Sequence, residues 1–168
     1  GRDRKNTDLP LDQKNLLKKI YNVNENIVLI LINGSTISLP WANEHIPAII
    51  EAWYPGQSGG KAIAEVLFGD YNPGGKLPMT FYKGINDLPP FDDYDVRNGR
   101  TYMYFKGKPL YPFGYGLSYT NFKIKNVRIN NTNFSKSDTL QITFNITNVG
   151  SRHGSEVPQL YITPGIIT

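Results

Sequence analysis

Residues 48–69 read AIIEAWYPGQSGGKAIAEVLFG and combine a short apolar stretch, a glycine-rich turn and an amphipathic segment. The apolar run at 48–53 predicts a buried strand. The proline and glycines of 55–60 predict a turn, in which Ser58 is a favourable N-cap for a following helix that should end at Gly69. The predicted apolar face of this helix carries Ala62, Ile63, Val66 and Leu67. A strand, a turn and a helix in this order form half of a βαβ unit, so we predict an α/β fold.

The sequence upstream of this unit adds a helix and a second strand to the prediction. Residues 8–22 are predicted to be helical, with Asp8 as the N-cap and Pro10 in the first turn. Residues 27–32 form an unbroken apolar run, which is typical of a central strand in a parallel sheet because both of its faces are buried. A helical turn is expected at 41–45. These elements fit a parallel sheet that is covered by helices.

Residues 70–120 differ in composition from the sequence before them. A short strand is predicted at 77–81, and the proline pair and three aspartates that follow it argue against regular structure. The remainder is rich in aromatic side chains, namely Tyr102, Tyr104, Phe105, Tyr111, Phe113, Tyr115 and Tyr119. We interpret residues 83–120 as a long ordered loop, which in a compact protein is usually functional or wraps a neighbouring surface.

Residues 121–168 follow the pattern of an all-β segment. Apolar and polar residues alternate through 140–147, which predicts a half-buried strand. The apolar positions are Leu140, Ile142, Phe144 and Ile146. Another strand is expected at 156–162. A β-sandwich needs about seven strands and this segment supplies about three, so we predict an incomplete domain with an exposed apolar surface and a tendency to self-associate.

The composition excludes several classes of protein. There is no Cys and there are only two His, at positions 45 and 153, so disulfide frameworks, thiol nucleophiles and thiolate or multi-His metal sites are not expected. The longest strongly apolar run, 27–32, is far shorter than the roughly 20 residues of a membrane span. The net charge of +4 comes from scattered Lys and Arg, which argues against nucleic-acid binding. None of these features indicates a compartment.

Two short motifs resemble nucleotide-binding or nucleophilic patterns without meeting their requirements. Residues 56–61 read GQSGGK, but a P-loop has four residues between its glycines and a Ser or Thr after the Lys. We therefore interpret this stretch as a turn that starts a helix. Gly59 and Gly60 are predicted to allow a backbone conformation or a close approach that a Cβ would obstruct. Ser118 lies outside a Gly-x-Ser-x-Gly elbow, so a Ser–His–Asp triad is not expected.

Paired carboxylates can hydrolyse glycosidic bonds, and seven acidic residues are candidates for such a pair. They are Glu44, Glu51, Glu65, Asp70, Asp92, Asp93 and Asp95. Spacing along the chain singles out none of them, because a catalytic pair is defined in space. Asn-x-Ser/Thr sequences also occur at Asn33, Asn130, Asn133 and Asn145, but chance matches are expected in a chain that is rich in Asn.

Two long strings resemble a known family. Residues 51–82 read EAWYPGQSGGKAIAEVLFGDYNPGGKLPMTFY, and residues 99–122 read GRTYMYFKGKPLYPFGYGLSYTNF. Both resemble the C-terminal part of glycoside hydrolase family 3, whose members include β-glucosidases and β-xylosidases. The resemblance implies that residues 1–82 are part of an α/β sandwich, that 83–120 are a linking loop, and that 121–168 begin a fibronectin type III-like β-sandwich.

The same resemblance implies that this chain holds no catalytic residue. The family's nucleophile is an Asp on an N-terminal barrel, and no barrel is present in this sequence. The acid/base is usually a Glu ahead of the helix that matches residues 8–22, and no Glu precedes Glu25. Neither role is therefore assigned to a residue here. No substrate-binding residue is assigned, and no cofactor or metal is implied.

The sequence is thus expected to be a fragment of an exo-acting glycoside hydrolase that cleaves β-linked glucosides or xylosides in carbohydrate metabolism. The fragment alone is expected to be inactive, and a carbohydrate substrate would be bound by the full-length enzyme. The alternative is a non-catalytic carbohydrate-binding or domain-interaction module, in which aromatic residues of 83–120 stack on sugar rings. Packing between domains is the simpler explanation of those aromatic residues, and we prefer it.

Overall fold

Helices and short strands alternate in the first part of the chain, and a β-hairpin follows in the last part. The computed structural model describes residues 5–133, 135 and 137–162. The elements are α1 (Leu11–Val23), β1 (Val28–Leu31), α2 (Pro40–His45), β2 (Ala48–Glu51), α3 (Gly59–Phe68), α4 (Thr101–Tyr104), β3 (Phe122–Ile129) and β4 (Ile142–Asn148), with a 3-10 turn at Ile85–Asp87. The predicted mixture of helix and sheet is confirmed. Among the described residues, no helix is both long and apolar enough to cross a membrane.

β1 and β2 form a two-stranded parallel sheet. Val28 lies opposite Ala48 and Leu31 lies opposite Glu51. Just beyond β2, the N–H of Ala52 donates to the Leu31 carbonyl at 2.9 Å. The chain passes from β1 to β2 through α2, which is the kind of crossover that a parallel pair requires. Both predicted strands are therefore present, and each is two residues shorter than expected.

The apolar core of the first part lies where the sheet, α2 and the segment before α2 meet. Its buried members are Leu31, Ile37, Leu39, Ala42 and Ile46. Leu17 and Tyr21 of α1 pack against this cluster, which explains the apolar face of that helix. No residue of α1 is fully buried, and Leu16 is 58% exposed. One side of α1 is therefore uncovered in the described part of the chain.

The predicted N-cap of α1 is wrong, whereas that of α3 is confirmed in its position but not in its hydrogen bond. α1 begins after Pro10, which takes the N-cap position, and Asp8 instead forms an isolated bridge with Ser38. Ser58 does occupy the N-cap position of α3, but its side chain makes no capping hydrogen bond. Its ψ of 10° departs from the extended conformation that aims a capping oxygen at the first turn. The predicted end of α3 is confirmed, since Gly69 has a left-handed φ of 82°.

The two glycines at the start of α3 have different environments. A Cβ on Gly59 would collide with the ring of Pro55, so this position needs glycine for a close approach. A Cβ on Gly60 would meet no atom within 4 Å. The prediction is therefore confirmed for Gly59 and wrong for Gly60, because the exposed side of the first helical turn faces open space.

The segment 83–120 is largely irregular, as predicted, apart from the 3-10 turn and α4. The strand that was predicted at 77–81 is reduced to one isolated bridge between Phe81 and Tyr111. Around this bridge, the N–H of Phe81 donates to the Tyr111 carbonyl at 2.9 Å, and the N–H of Leu77 donates to the Tyr115 carbonyl at 2.8 Å. Phe81 is only 2% exposed, so this irregular pairing anchors the loop to the rest of the chain.

β3 and β4 form an antiparallel hairpin. Phe122 lies opposite Asn148 and Ile129 lies opposite Ile142, and the register shifts between Lys125 and Arg128. Asn126, within that shift, has a left-handed φ of 55°. Such a bulge bends the strand and increases its twist.

The other β predictions for this region are corrected. The strand that was predicted at 156–162 is absent, because this segment pairs with no neighbouring strand among the described residues. The alternating apolar side chains are only partly as expected, since Leu140 and Ile142 are half-buried whereas Phe144 is 40% exposed and Ile146 is 41% exposed. No second sheet covers the hairpin within 5–133, 135 and 137–162, and residues 163–168, the end of the stretch predicted to be β-rich, lie outside the described residues.

Hydrogen bonds join the turn after α3 to the region of the hairpin. Asn72 accepts from the Ser118 hydroxyl at 2.9 Å and the Tyr119 N–H at 2.7 Å, and it donates to the His153 carbonyl at 2.8 Å. Lys76 forms an ion pair with Glu156 at 3.1 Å. These contacts connect residues about 40 to 80 positions apart in the sequence, so they are long-range tertiary contacts and not part of a local turn.

Candidate functional site

The carboxyl ends of β1 and β2 bring two polar side chains together. Asn33 follows β1 by two residues, and Glu51 is the last residue of β2. In open α/β sheets, ligands bind outside the carboxyl ends of the strands. This edge is therefore the place in the described chain where a functional site is most expected on topological grounds.

Glu51 is held by two hydrogen bonds at this edge. Its Oε2 accepts from Asn33 Nδ2 at 3.3 Å, and its Oε1 accepts from the Trp53 N–H at 3.0 Å. The ion pairs found among the described residues do not include Glu51. Burial raises the pKa of this carboxyl, while the hydrogen bonds from Trp53 and Asn33 oppose the increase.

Two aromatic residues, Trp53 and Tyr54, follow Glu51 closely in the sequence. Trp53 has a left-handed φ of 52° and packs edge-on against Phe81, with ring centroids 6.2 Å apart. Tyr54 is 76% exposed, and its ring lies so close to Gly34 that a Cβ there would contact it. Non-glycine residues rarely adopt a positive φ, and such strain is concentrated at functional sites. The edge thus combines a carboxyl, an amide and an exposed ring, groups that can bind the hydroxyls and faces of a sugar.

The other six acidic candidates are exposed or used in local contacts. Glu65 pairs with Lys61 at 3.6 Å along α3, and Asp95 pairs with Arg97 at 2.6 Å. Hydrogen bonds from Arg97 lower the pKa of Asp95. Asp93 accepts from the Asp95 N–H at 3.0 Å and from Asn98 Nδ2 at 2.8 Å. The exposed members are Glu44, Asp70 and Asp92. No second carboxylate is seen to share a hydrogen-bond network with Glu51 in the described part of the chain.

The remaining sequence motifs have structural explanations. His45 stacks on Trp41 with ring centroids 4.5 Å apart, and its Nδ1 lies 2.8 Å from the Trp41 carbonyl. The hydroxyl of Ser118 donates to Asn72, as described above. Gly56 has a φ of 68°, as a tight turn requires. Among residues 5–133, 135 and 137–162, no group of three or more His, Asp or Glu could hold a metal ion.

Many rings of the aromatic loop contact each other. Tyr102 stacks on Phe113 with centroids 4.4 Å apart, and Tyr111 stacks on Tyr115 with centroids 5.1 Å apart. Burial raises the pKa of the Tyr111 hydroxyl. Stacking of this kind stabilises the loop internally.

Sequence reasoning named Glu51 only as one of seven candidates and gave no role to Asn33 or Trp53. A signal did exist, because Asn33 comes directly after the predicted strand 27–32 and Glu51 is the one charged residue within the predicted strand 48–53. The carboxyl ends of parallel neighbours lie at one edge, so that spacing could have paired them. The positive φ of Trp53 has no comparable signal in the sequence.

Comparisons with known proteins agree on one family. Residues 1–119 match the model of the glycosyl hydrolase family 3 C-terminal domain. The chain is 46% identical over 162 residues to a xylan 1,4-beta-xylosidase of Xylanibacter ruminicola, covering 96% of this chain and 18% of that protein. It is 36% identical to a periplasmic beta-glucosidase of Salmonella typhimurium, covering 95% of this chain and 22% of that protein.

Solved structures give the same result. The β-glucosidase EmGH1 of Erythrobacter marinus superposes with a TM-score of 0.77 at 37% identity, covering 92% of this chain and 20% of that one. Beta-glucosidase 3B of Thermotoga neapolitana, solved with glucose, superposes with a TM-score of 0.75 at 28% identity, covering 92% of this chain and 24% of that one. The chain therefore spans less than a quarter of the length of these relatives. Because the family model matches residues 1–119 of the 168, the chain belongs to glycosyl hydrolase family 3 and corresponds to its C-terminal domain.

Proposed function

We propose that the protein carrying this chain is an exo-acting glycoside hydrolase that removes sugars from β-linked glucosides or xylosides. The observation that carries the proposal is the alignment of 96% of the chain with a protein named xylan 1,4-beta-xylosidase. Relatives named beta-glucosidase, at 34–36% identity, support the wider substrate class. Residues that recognise the sugar itself are not assigned.

In this proposal the chain has three parts. Residues 1–82 form part of an α/β sandwich, 83–120 form the linking aromatic loop, and 121–168 begin a fibronectin type III-like domain. The parallel pair β1–β2 and its covering helices support the first assignment. The uncovered antiparallel hairpin β3–β4 supports the last one, since a β-sandwich would place a second sheet on it.

The proposed contribution of the chain to catalysis is structural. A retaining glycosidase needs two carboxyl groups roughly 5–5.5 Å apart, and an inverting one needs them roughly 6.5–9.5 Å apart. Partial burial raises the pKa of Glu51, but this carboxyl shares no hydrogen-bond network with a second carboxyl among the described residues. The chain therefore supplies scaffold and pocket rim, and both catalytic carboxyls belong to other parts of the full-length enzyme.

The experiment compares the full-length protein with residues 1–168 on aryl-β-xylosides and aryl-β-glucosides. The full-length protein should release the aryl group from at least one of the two substrates, and residues 1–168 should release none above a mock-purified control. Inactivity of the folded full-length protein on both substrates would contradict the glycosidase proposal. Turnover by residues 1–168 that is lost on mutation of an Asp or Glu would contradict their structural role.

A second candidate function is carbohydrate binding without catalysis. Exposed rings favour it, since Tyr54, Phe91 and Tyr94 are 76%, 69% and 82% exposed. Titration of residues 1–168 with xylo- and cello-oligosaccharides, followed by Trp fluorescence, tests it. Saturable binding that Tyr54→Ala weakens would favour the binding module. An unchanged signal would favour packing of these rings between domains.

A further inference from the structure

The dipeptide Asn-Gly occurs twice, at Asn33-Gly34 and Asn98-Gly99, in very different environments. We propose that Asn98 is a site of spontaneous deamidation, and that its conversion to a carboxylate opens the loop 89–101. The inference does not depend on the proposed glycosidase function. It rests on the contacts of the two Asn side chains and on the chemistry of the peptide bond that follows each of them.

The reaction needs only water and the chain itself. The backbone nitrogen of Gly99 attacks Cγ of Asn98, so that an N–Cγ bond forms while the Cγ–Nδ2 bond breaks. The amide proton of Gly99 goes to a solvent base, and ammonia leaves with a proton from solvent. Water then opens the succinimide ring, which leaves either aspartate or isoaspartate at position 98. Nothing is oxidised or reduced in these steps.

The surroundings of Asn98 permit this attack. Asn98 is exposed, and its side chain makes one hydrogen bond, from Nδ2 to Asp93 Oδ2 at 2.8 Å. The amide N–H of Gly99 donates to no acceptor in the described part of the chain. The attacking nitrogen therefore does not have to give up a hydrogen bond of its own. Gly99 has a φ of 95° and no Cβ, so its nitrogen is approachable.

Asn33 has the same neighbour in sequence but is held in place. Its Nδ2 donates to the Ser35 carbonyl at 2.7 Å and to Glu51 Oε2 at 3.3 Å. Its Oδ1 is buried, and the Tyr54 ring packs against Gly34. Rotation of the Asn33 side chain towards the backbone nitrogen of Gly34 would break both hydrogen bonds. The folded state should therefore protect Asn33 from deamidation.

Deamidation at position 98 would change the electrostatics of the loop. A carboxylate at position 98 would lie close to the Asp93 carboxylate, where the hydrogen bond from Asn98 is now. Two negative charges this close repel each other. Two backbone carbonyls of the same loop accept hydrogen bonds from the Arg100 side chain. Nε of Arg100 donates to the Asp93 carbonyl at 3.0 Å, and Nη2 donates to the Pro90 carbonyl at 2.8 Å. Loss of the Asn98–Asp93 bond should therefore loosen both contacts of Arg100.

The first test incubates the folded protein in mildly alkaline buffer and follows peptides containing each Asn-Gly by mass spectrometry. Asn98 should gain the deamidation mass and isoaspartate several-fold faster than Asn33. In urea the two rates should become similar, because the protection of Asn33 depends on the fold. Equal rates in the folded protein, or faster reaction at Asn33, would overturn the assignment of the site.

The second test measures the consequence for the loop with limited trypsin digestion. Asn98→Asp should increase cleavage after Arg100 several-fold relative to the wild type. Asn98→Gln, which keeps a neutral amide, is the matched control and should be cleaved like the wild type. If Asn98→Asp and Asn98→Gln are cleaved at the same rate, the proposed opening of the loop is wrong.

Discussion

At the scale of single residues, Gly59 and Gly60 show how two adjacent glycines can have opposite roles. Gly59→Ala should lower the free energy of unfolding by about 1–2 kcal/mol, because its Cβ would overlap the Pro55 ring. Gly60→Ala should raise it by about 0.5–1 kcal/mol, since its Cβ would enter open space on a helix. Urea unfolding of both variants checks this pair. Equal effects of the two substitutions would contradict the close approach at Gly59.

The titration of Glu51 should affect the stability of the fold. Burial raises its folded pKa above the ordinary value of 4.5, so the folded chain binds this proton more tightly than the unfolded chain does. The resulting stabilisation is present below about pH 4.5 and is lost as the pH rises through the folded pKa. Glu51→Gln should therefore gain stability relative to the wild type as the pH rises through this window.

Urea unfolding at a series of pH values measures that difference. Glu44→Gln, on the exposed surface of α2, controls for the removal of one negative charge. If the stability difference between Glu51→Gln and the wild type were constant with pH, burial of the Glu51 carboxyl would have no energetic consequence.

At the scale of elements, Asn72 joins the end of α3 to the segments before and after the β-hairpin. Its side chain makes the three hydrogen bonds to Ser118, Tyr119 and His153. Asn72→Ala removes all three hydrogen bonds, each worth a net contribution of about 0.5–1.5 kcal/mol, and should cost about 1–3 kcal/mol of unfolding free energy. Asn22→Ala, at an exposed position on α1, is the matched control and should cost less than about 0.5 kcal/mol. Thermal unfolding of both variants checks the prediction, and similar melting temperatures would contradict it.

At the scale of the whole molecule, the uncovered face of the hairpin should determine how residues 1–168 behave in solution. Ile124 and Ile146 lie opposite each other on this face and are 48% and 41% exposed. Each would contribute roughly 1.5–3 kcal/mol if it were fully buried. We therefore predict that residues 1–168 bind a hydrophobic dye and self-associate, and that the double substitution of Ile124 and Ile146 by Thr reduces both.

Dye fluorescence and light scattering make the measurement. The neighbouring cross-strand pair Lys125 and Asn145, replaced in the same way, provides the control because it belongs to the opposite face of the hairpin. A stable monomer that binds no dye would contradict the prediction.

Local patterns predicted the helices and the central strands well. The helix at 8–22, the strands at 27–32 and 48–53 and the helix end at Gly69 all occur within a few residues of the expected positions. These features depend on periodicity, on branched apolar residues and on glycine, and all of them are properties of neighbouring residues. The strand at 156–162 was wrong, because a strand exists only where another strand offers hydrogen bonds to it.

The family and the α/β character were determined by the sequence itself, since long motifs and apolar periodicity are properties of the order of residues along the chain. Only the tertiary structure decided that Glu51 is half-buried and meets Asn33 and Trp53, and that the side chains of Asn33 and Asn98 differ in their hydrogen bonds. Burial and hydrogen bonding depend on which distant segments meet. Two identical dipeptides, such as the two Asn-Gly pairs, can therefore differ in their expected rate of deamidation within one folded chain.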